Sequence, residues 1–422
     1  MTAHADLCRV WIGLDDTDNP ESGCTTATFD DLLKEISQIN NVEIVERRLV
    51  RLWPFAERRT RGNGALACVI DCPKASLLFL EELLSNFFNQ LLFELEINEN
   101  SLTSPALVFS FEELDENFYW EAVRKKVDLD IRRESLSGVK VFSLENSDWG
   151  LIGASSAMAW KPTENSTWEL IAWRFSDNIG SKRNITSSVV KKMEKLHPET
   201  FVNRDPTADK GLIAPRTPCP VLYGIRGSKP QAVLMAHKWI QAQYGVEKCE
   251  RFAIHRTNQL SDDHVLGFSR ATVLTKSIET KGAHSSLQVL SEGKNLTLVA
   301  FKEGGNVNSL LRTLIPGDRI DWLGMKAPDG SIHLERLSVH SSLPRITGRP
   351  ICCNGKTMRS AGSNQPLRCL NCEKVVEKHW LYEEINLNGI ELVSGWAEPS
   401  PSQRRHLSKP LSLGIPLSSE NI

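Results

Sequence analysis

Val10-Trp11-Ile12-Gly13-Leu14-Asp15-Asp16-Thr17-Asp18-Asn19-Pro20-Glu21-Ser22-Gly23-Cys24-Thr25-Thr26 is the stretch that decides how the chain folds. Its first five residues read as an apolar strand that runs straight into three carboxylates within four positions. Carboxylates so crowded repel one another, and a hard cation such as Mg²⁺, shared with phosphate oxygens, relieves them at a strand end. The turn then opens a helix expected from Phe29 to Ile39. Thr25 and Thr26 would lie at its positive end, where phosphate is favoured. Asp and Thr also cap ordinary helices, but capping needs one carboxylate and this loop has three. Nucleotide-dependent phosphoryl chemistry is therefore the first expectation.

The chain of 422 residues exceeds what one core supports, so roughly two to four domains are expected. A net charge of −2 excludes a globally basic nucleic-acid binder but not local basic patches. No apolar stretch is long enough to cross a bilayer, and Met1 to Asp6 has no signal-peptide core, which points to the cytoplasm and no membrane partner. Ten cysteines, two of them in one Cys-x-x-Cys, fit a reducing compartment with a metal site better than a disulfide framework.

Downstream of the acidic loop, Val42 to Trp53 reads as a strand carrying Arg47, Arg48 and Arg51. Glu57-Arg58-Arg59-Thr60-Arg61-Gly62-Asn63-Gly64 follows, then a second apolar strand from Ala65 to Ile70. The Gly62-Asn63-Gly64 turn permits close backbone approach to a ligand, and Arg58, Arg59 and Arg61 suit phosphate oxygens. A hairpin turn with solvated arginines would look the same in isolation. Beside the acidic loop, the segment supplies the second half of a triphosphate site. Leu77 to Leu92 is apolar at helical spacing and belongs to a core.

The Asp15-Asp16-Thr17-Asp18 loop with Cys24-Thr25-Thr26, together with Arg61-Gly62-Asn63-Gly64, resembles the kinase domain of the archaeal 2-agmatinylcytidine synthetases of the minor isoleucine tRNA, the TiaS family. Two later stretches agree, Thr217-Pro218-Cys219-Pro220-Val221-Leu222-Tyr223-Gly224-Ile225-Arg226-Gly227 and Arg404-Arg405-His406-Leu407-Ser408-Lys409-Pro410-Leu411. The family's fold is α+β and multidomain. On that resemblance, 1–137 is an ATP-dependent cytidine kinase-like α/β domain and 138–262 a ferredoxin-like agmatine-binding domain. An OB-type β-barrel at 263–342 and a zinc-ribbon-like domain with a basic tail at 343–422 complete it.

Within the second segment, Trp149-Gly150-Leu151-Ile152-Gly153-Ala154 reads as a Gly-rich turn entering an apolar run, and Trp168 to Trp173 as a strand. Asp205 and Asp209 precede the turn-rich Pro215 to Pro220 loop and are the candidates to meet a guanidinium, with Gly153, Ala154 and Cys219 as further agmatine contacts. A helix from Pro230 to Tyr244 follows, its His237 expected at the surface, while Thr257, Asn258 and His264 take no assigned role. From Gly267 to Ser342 five short strands alternate with turns: Ala271–Leu274, Ser286–Leu290, Leu296–Phe301, Arg319–Gly324 and Ile332–Val339. That is a small barrel's pattern.

Cys369-Leu370-Asn371-Cys372 is a zinc knuckle in spacing, but its upstream partner is the vicinal pair Cys352-Cys353. Three outcomes stay open: a strained four-thiolate site, completion by His379 or water, or loss of zinc. Pro399-Ser400-Pro401-Ser402 reads as a flexible lead into a basic tail whose Arg404, Arg405, His406 and Lys409 form a cationic cluster that would meet RNA phosphates.

The resemblance implies a reaction. ATP phosphorylates the C2 oxygen of the wobble cytidine in the CAU anticodon, and the primary amine of agmatine displaces the phosphate to give agmatidine. Asp15, Asp16 and Asp18 would hold Mg²⁺, Arg58, Arg59 and Arg61 would steady phosphate charge, and Thr25 matches the family's phosphorylatable threonine. Thr26, Gly62, Asn63 and Gly64 would cradle the nucleotide, and zinc would sit on the cysteines. Glu21-Ser22-Gly23-Cys24 stands where the family has Gly-Met-Cys. That departure leaves open a related ATP-dependent RNA cytidine-amine ligase with another amine or RNA, or a non-catalytic RNA-binding protein of the same architecture.

Overall fold

The computed structural model describes residues 6–19, 23–60, 62–96, 103–144 and 147–419. The chain divides into two compact units, Met1–Leu266 with Ser400–Pro410, and Gly267–Pro399 with Leu411–Ile422.

The first unit is built on one nine-stranded sheet. Its strands are β1 (Leu7–Asp15), β2 (Glu43–Arg51), β3 (Gly64–Pro73), β4 (Ala106–Ser110), β5 (Lys140–Ser143), β6 (Thr167–Trp173) and β7 (Thr200–Phe201). A two-residue ribbon, β8 (Arg204–Asp205) with β9 (Lys210–Gly211), stands apart, and β10 (Val221–Gly227) and β11 (Arg251–Thr257) complete the sheet. The order is β5-β4-β1-β3-β2-β11-β6-β10-β7. A parallel pairing of β11 with β2, Arg256 opposite Arg48 and Thr257 opposite Leu49, carries the sheet across the boundary expected near residue 137.

Helices cover both faces. Val10, Ile12 and Leu14 of β1 pack with Phe29, Leu32, Leu33 and Ile36 of α1 (Thr25–Ile36) and Leu80, Leu84 and Phe88 of α2 (Leu77–Glu94). Trp11 faces the other way, into a cluster with α3 (Asn117–Arg124), α4 (Leu129–Ser135) and α5 (Gly150–Ala159). A strand alternating into two covered faces is apolar throughout, as the sequence of β1 is. Helices α6 (Ser187–Leu196) and α7 (Pro230–Gln241) cover β6 and β10.

Contact of α5 with β1 is close because both elements carry glycine. A Cβ on Gly13 would lie 2.4 Å from the Ala154 carbonyl oxygen, and one on Gly150 would lie 2.6 Å from the carbonyl oxygen of Asp15. Arg48 then closes the far end of α5, donating to the Met158 and Trp160 carbonyls at 2.8 and 2.7 Å. The Gly-rich turn expected here is thus the first turn of a helix wedged onto β1.

In the second unit, β12 (Ser269–Val273), β13 (Ile278–Glu279), β14 (Ser285–Ser291), β15 (Lys294–Ala300), β16 (Arg319–Lys326) and β17 (Ile332–Ser341) share a sheet. Pairing of β12 with both β16 and β14 closes five of these strands into a barrel, β12-β14-β15-β17-β16, around Val289, Leu298, Ile320 and Leu337. All five expected strands are present. The sequence pattern passed over α8 (Asn306–Thr313), whose Val307, Leu310 and Leu311 plug the barrel.

Two expectations are corrected. His237 is buried, not at the surface: its Nδ1 lies 2.9 Å from the Tyr223 hydroxyl, and burial pushes its pKa down to about 4. The expected lead at Ser400-Pro401-Ser402 is not flexible, since the Ser402 amide is held by Asp205 at 3.1 Å, and neither is the tail that follows it. Its carbonyls at His406 and Leu407 accept from the Leu260 and Asp262 amides at 3.0 and 2.9 Å, and Leu407 is buried in the core beside α5.

Candidate active site

Asp16 has φ of 58°, a left-handed conformation that Asp tolerates better than most residues, and it breaks β1 sharply. The break divides the acidic loop. Asp15 and Asp16 line a cavity of about 470 Å³, whereas Asp18 lines a second of about 330 Å³. Thr60 and Gly64 line both cavities and so form the divider between them.

The larger cavity has an acidic end, cations and an apolar wall. Burial raises the Asp15 carboxyl well above the usual carboxylate range, and the neighbouring Asp16 charge raises it further. Asp16 is pushed up to about 7, chiefly by burial and by Asp18, against the opposing charge of Arg58. Its Oδ2 accepts from the Ser104 amide at 3.1 Å. Gly153 is where α5 meets this carboxylate pair: a Cβ there would sit 1.7 Å from Asp15 Oδ2. Arg58 lies 5.5 Å over the Trp149 ring, and Arg59, Lys125 and Lys126 line the same space with Leu52, Trp53 and Ile152. Phosphates fit the charged half and a heterocyclic base the apolar half.

The smaller cavity begins at the N-terminus of α1. Asp18 Oδ1 accepts from the hydroxyls of Thr60 and Thr25 at 2.7 and 3.5 Å. Thr26 Oγ1 is held by Trp173 Nε1 at 3.3 Å. Opposite stands Glu169, a buried carboxylate in the middle of β6, within 3.4 Å of both Arg51 and Arg226 and hydrogen-bonded to Gln259 Nε2. Burial alone would raise the Glu169 pKa, but Arg226, Arg51 and the Gln259 amide outweigh it and hold it down. Gly224 makes the space, since a Cβ there would lie 2.5 Å from Glu169 Oε1. Cys219, Arg216 and His406 also line it.

Among the expected residues, Arg61 lies outside the described residues. Asn63 takes φ of 47°, and its amide closes a turn onto the Thr60 carbonyl at 2.8 Å. Gly62 and Gly64 make room for the protein's own Arg51, whose Nη1 would lie 2.6 and 2.8 Å from the added Cβ atoms. Ala154 is buried against Gly13 and lines neither cavity. Asp209 pairs with Arg204 at 2.8 Å at the surface. Asp205 is buried and accepts from Thr207 and from the Ser402 amide at 3.1 Å. Burial opposes its ionisation, but those bonds outweigh it and hold the carboxyl far below its ordinary range. Neither Asp205 nor Asp209 lines either cavity; Asp205 instead ties down the returning segment. On that segment, Arg405 stacks 4.6 Å over Phe55, Arg404 lines a 160 Å³ cavity, and the Lys409 amide donates to Asp262 at 2.7 Å.

Glu169 and Gln259 were not singled out in the sequence, Arg51 stood out only as one of three strand arginines, and His406 was expected in a solvent-facing cationic cluster, whereas it lines the smaller cavity. Glu169 did leave a signal, as the single charge within the apolar run Trp168-Glu169-Leu170-Ile171-Ala172-Trp173.

In the second unit, the sulfurs of Cys352, Cys353, Cys369 and Cys372 all lie within 4.8 Å of one another. Asn354, at φ of 55°, turns the chain so that both vicinal thiols face the knuckle. Cys352 Sγ is 3.9 Å from Cys353 Sγ and 3.6 Å from Cys372 Sγ. The His379 ring is engaged elsewhere, 2.8 Å from the Glu377 carbonyl.

Two chambers of complementary chemistry on either side of one turn define a class: two-substrate enzymes of phosphate chemistry. Comparison with known proteins narrows the class. Residues 11–75 match the TiaS TCKD domain and residues 148–264 the TiaS FLD domain. The isoleucine-tRNA 2-agmatinylcytidine synthetase TiaS of Archaeoglobus fulgidus is 30% identical over 426 residues, 96% of this chain and 97% of that protein. That of Methanosarcina mazei is 32% identical over 432 residues, covering 95% and 96%. The crystal structure of TiaS in complex with its isoleucine tRNA and ATP superimposes with a TM-score of 0.83 at 29% identity, over 96% of this chain and 97% of that one. The chain belongs to the TiaS family of isoleucine-tRNA 2-agmatinylcytidine synthetases.

Proposed function

We propose that the chain uses ATP to phosphorylate the C2 oxygen of the wobble cytidine in the CAU anticodon of the minor isoleucine tRNA and then installs agmatine there. The observation that carries this is the pair of cavities sharing Thr60 and Gly64. One matches a nucleotide in its charges and apolar wall; the other offers an acceptor site at the helix N-terminus beside Asp18 and Glu169. A pyrimidine carbonyl oxygen leaves poorly until phosphorylated, and phosphoryl transfer needs placed charge more than acid–base groups. Arg58, Arg59 and Arg61 would meet phosphate charge, and Thr25 is held by Asp18 where a phosphoryl group crossing the divider would arrive. The cytidine must leave the anticodon stack to enter, which a loop base does at low cost.

Asp15 and Asp16 fit Mg²⁺. Burial raises both pKa values, with Arg58 opposing this at Asp16, as expected where a hard cation belongs. Bound there, Mg²⁺ would neutralise these carboxylates and phosphate oxygens. Asp18, on the other side of the divider, would orient Thr25 and Thr60. For the guanidinium of agmatine, Glu169 is a better candidate than Asp205 or Asp209, because it lines the cavity.

The finer domain assignments belong to this proposal as well: 1–137 kinase-like, 138–262 ferredoxin-like, 263–342 OB-type and 343–422 zinc-ribbon-like. The barrel's order and its helix between β15 and β16 support the OB assignment. Sulfur separations of 3.6 and 3.9 Å support zinc, since a tetrahedral ion with bonds of about 2.3 Å spaces its sulfurs by about 3.8 Å. Arg404, Arg405 and Lys409 would contact RNA. Among the described residues no helix is long and apolar enough to cross a membrane, and cytoplasmic location is part of the proposal.

The test is direct. Purified protein incubated with ATP, Mg²⁺, agmatine and the minor isoleucine tRNA should convert the wobble cytidine to the agmatine-substituted nucleoside, read by nucleoside mass spectrometry. Conversion with another amine but not agmatine would replace the amine in the proposal, and RNA binding without ATP turnover would overturn it.

A further inference from the structure

We infer that His406, brought into the smaller cavity by the returning segment, is the base that takes the proton from the attacking primary amine. The inference rests on the amine transfer proposed above. Gln259 fixes the ring's tautomer. Its Nε2 donates to Glu169, a carboxylate that can only accept, and its Oε1 accepts from Arg226 Nε at 2.8 Å. His406 Nδ1, 3.3 Å from that same oxygen, must therefore carry the hydrogen. The lone pair is left on Nε2.

Nε2 makes no hydrogen bond among the described residues, and the ring lines the cavity. Gly62 keeps it open, for a Cβ there would lie 2.9 Å from Nε2. The cavity's carboxylates have other tasks: Asp18 accepts from the Thr25 and Thr60 hydroxyls, and Glu169, beside two arginines and Gln259, is assigned to the guanidinium, the end of the amine away from the attacking nitrogen. Desolvation in the cavity, then the charges of Arg51 and Arg226, keep the imidazole neutral before substrate arrives. A phosphorylated cytidine would set negative charge beside those arginines and so raise the ring's basicity when it is needed.

The step balances. The amine nitrogen's lone pair forms the bond to C2, the C2–O bond breaks with its electrons leaving on phosphate, and the extra N–H proton passes to Nε2. The imidazolium then returns it to phosphate or solvent.

His406→Asn keeps an N–H near the Nδ1 position but has no basic atom. With ATP, Mg²⁺ and the minor isoleucine tRNA, and agmatine as the amine, it should form the modified nucleoside about 100-fold more slowly than wild type, and added imidazole should restore the rate in a saturable way. Wild type run in parallel separates the two claims: if it fails to use agmatine, the function is wrong, not the base. Turnover within about threefold of wild type, or a loss that imidazole does not relieve, overturns the inference. Should the variant melt more than a few degrees below wild type, His406→Gln takes its place under the same rescue criterion.

Discussion

Gly153→Ala adds one methyl group to α5, and the structure says where it goes. The new Cβ would lie 1.7 Å from Asp15 Oδ2, 2.6 Å from its Cγ and 3.1 Å from its Cβ. Ordinary contact begins near 3.4 Å, so the carboxylate oxygen or the helix must move by about 1.7 Å. Retreat of the helix is opposed at both of its ends: the Gly150 amide donates to the Ser104 carbonyl at 2.9 Å, and Arg48 ties the Met158 and Trp160 carbonyls. Asp15 therefore gives way. Overpacking costs about 1–3 kcal/mol, and alanine's greater helix propensity returns about 1 kcal/mol, so stability should fall by about 0–2 kcal/mol. Activity should fall much further, because misplacing a reacting group by ~1 Å costs on the order of 100-fold. Differential scanning fluorimetry and ATP consumption, measured on the same preparations, separate the two effects. Gly304→Ala, where a Cβ meets nothing closer than 3.9 Å, is the control and should alter neither. A Gly153→Ala protein that consumes ATP at the wild-type rate would refute the role given to Asp15.

Three further outcomes follow from the same geometry. In the barrel unit, buried Asp318 accepts from Arg345 at 2.8 and 2.7 Å and from the Ile315 and Leu343 amides at 2.9 Å, so Asp318→Asn should cost about 3–5 kcal/mol in urea unfolding; a loss below about 1 kcal/mol would contradict it. His237 titrates near 4 instead of 6.5, so the unfolded chain takes up this proton first. Its contribution is present above pH 6.5 and fades by about 3 kcal/mol as the pH falls toward 4, and His237→Gln should make that acid limb shallower; an unchanged limb would contradict it. Zinc should be found at one equivalent per chain by mass spectrometry of the metal and be lost in Cys353→Ser, with a metal-free wild type as the contrary result.

The acidic loop, the strands around it and all five barrel strands were legible because each is a local pattern: an apolar alternation, a turn, a cluster of charge. What escaped depends on contacts between distant residues. Asp16 looks equivalent to Asp18 in sequence, yet one left-handed φ sends them into different chambers. Asp205 looked like a ligand group because it precedes a turn-rich loop and a guanidinium calls for a carboxylate, and nothing local tells that the Ser402 amide, nearly two hundred residues on, would meet it. The basic run at Arg404 and Arg405 masked the apolar Leu407 that anchors it in the core. Vicinal cysteines facing one centre required the unusual turn at Asn354, which its sequence permits but does not demand.

The claim on which the rest depends is that Thr60 and Gly64 part a nucleotide chamber from an acceptor chamber. A crystal structure of the protein with Mg²⁺, a non-hydrolysable ATP analogue and agmatine tests it most directly. The expected density has the nucleotide beside Asp15, Asp16 and Arg58, with its terminal phosphate directed at the divider and agmatine beyond it next to Glu169. Nucleotide in the chamber of Glu169 and His406, or bound to the second unit, would contradict it.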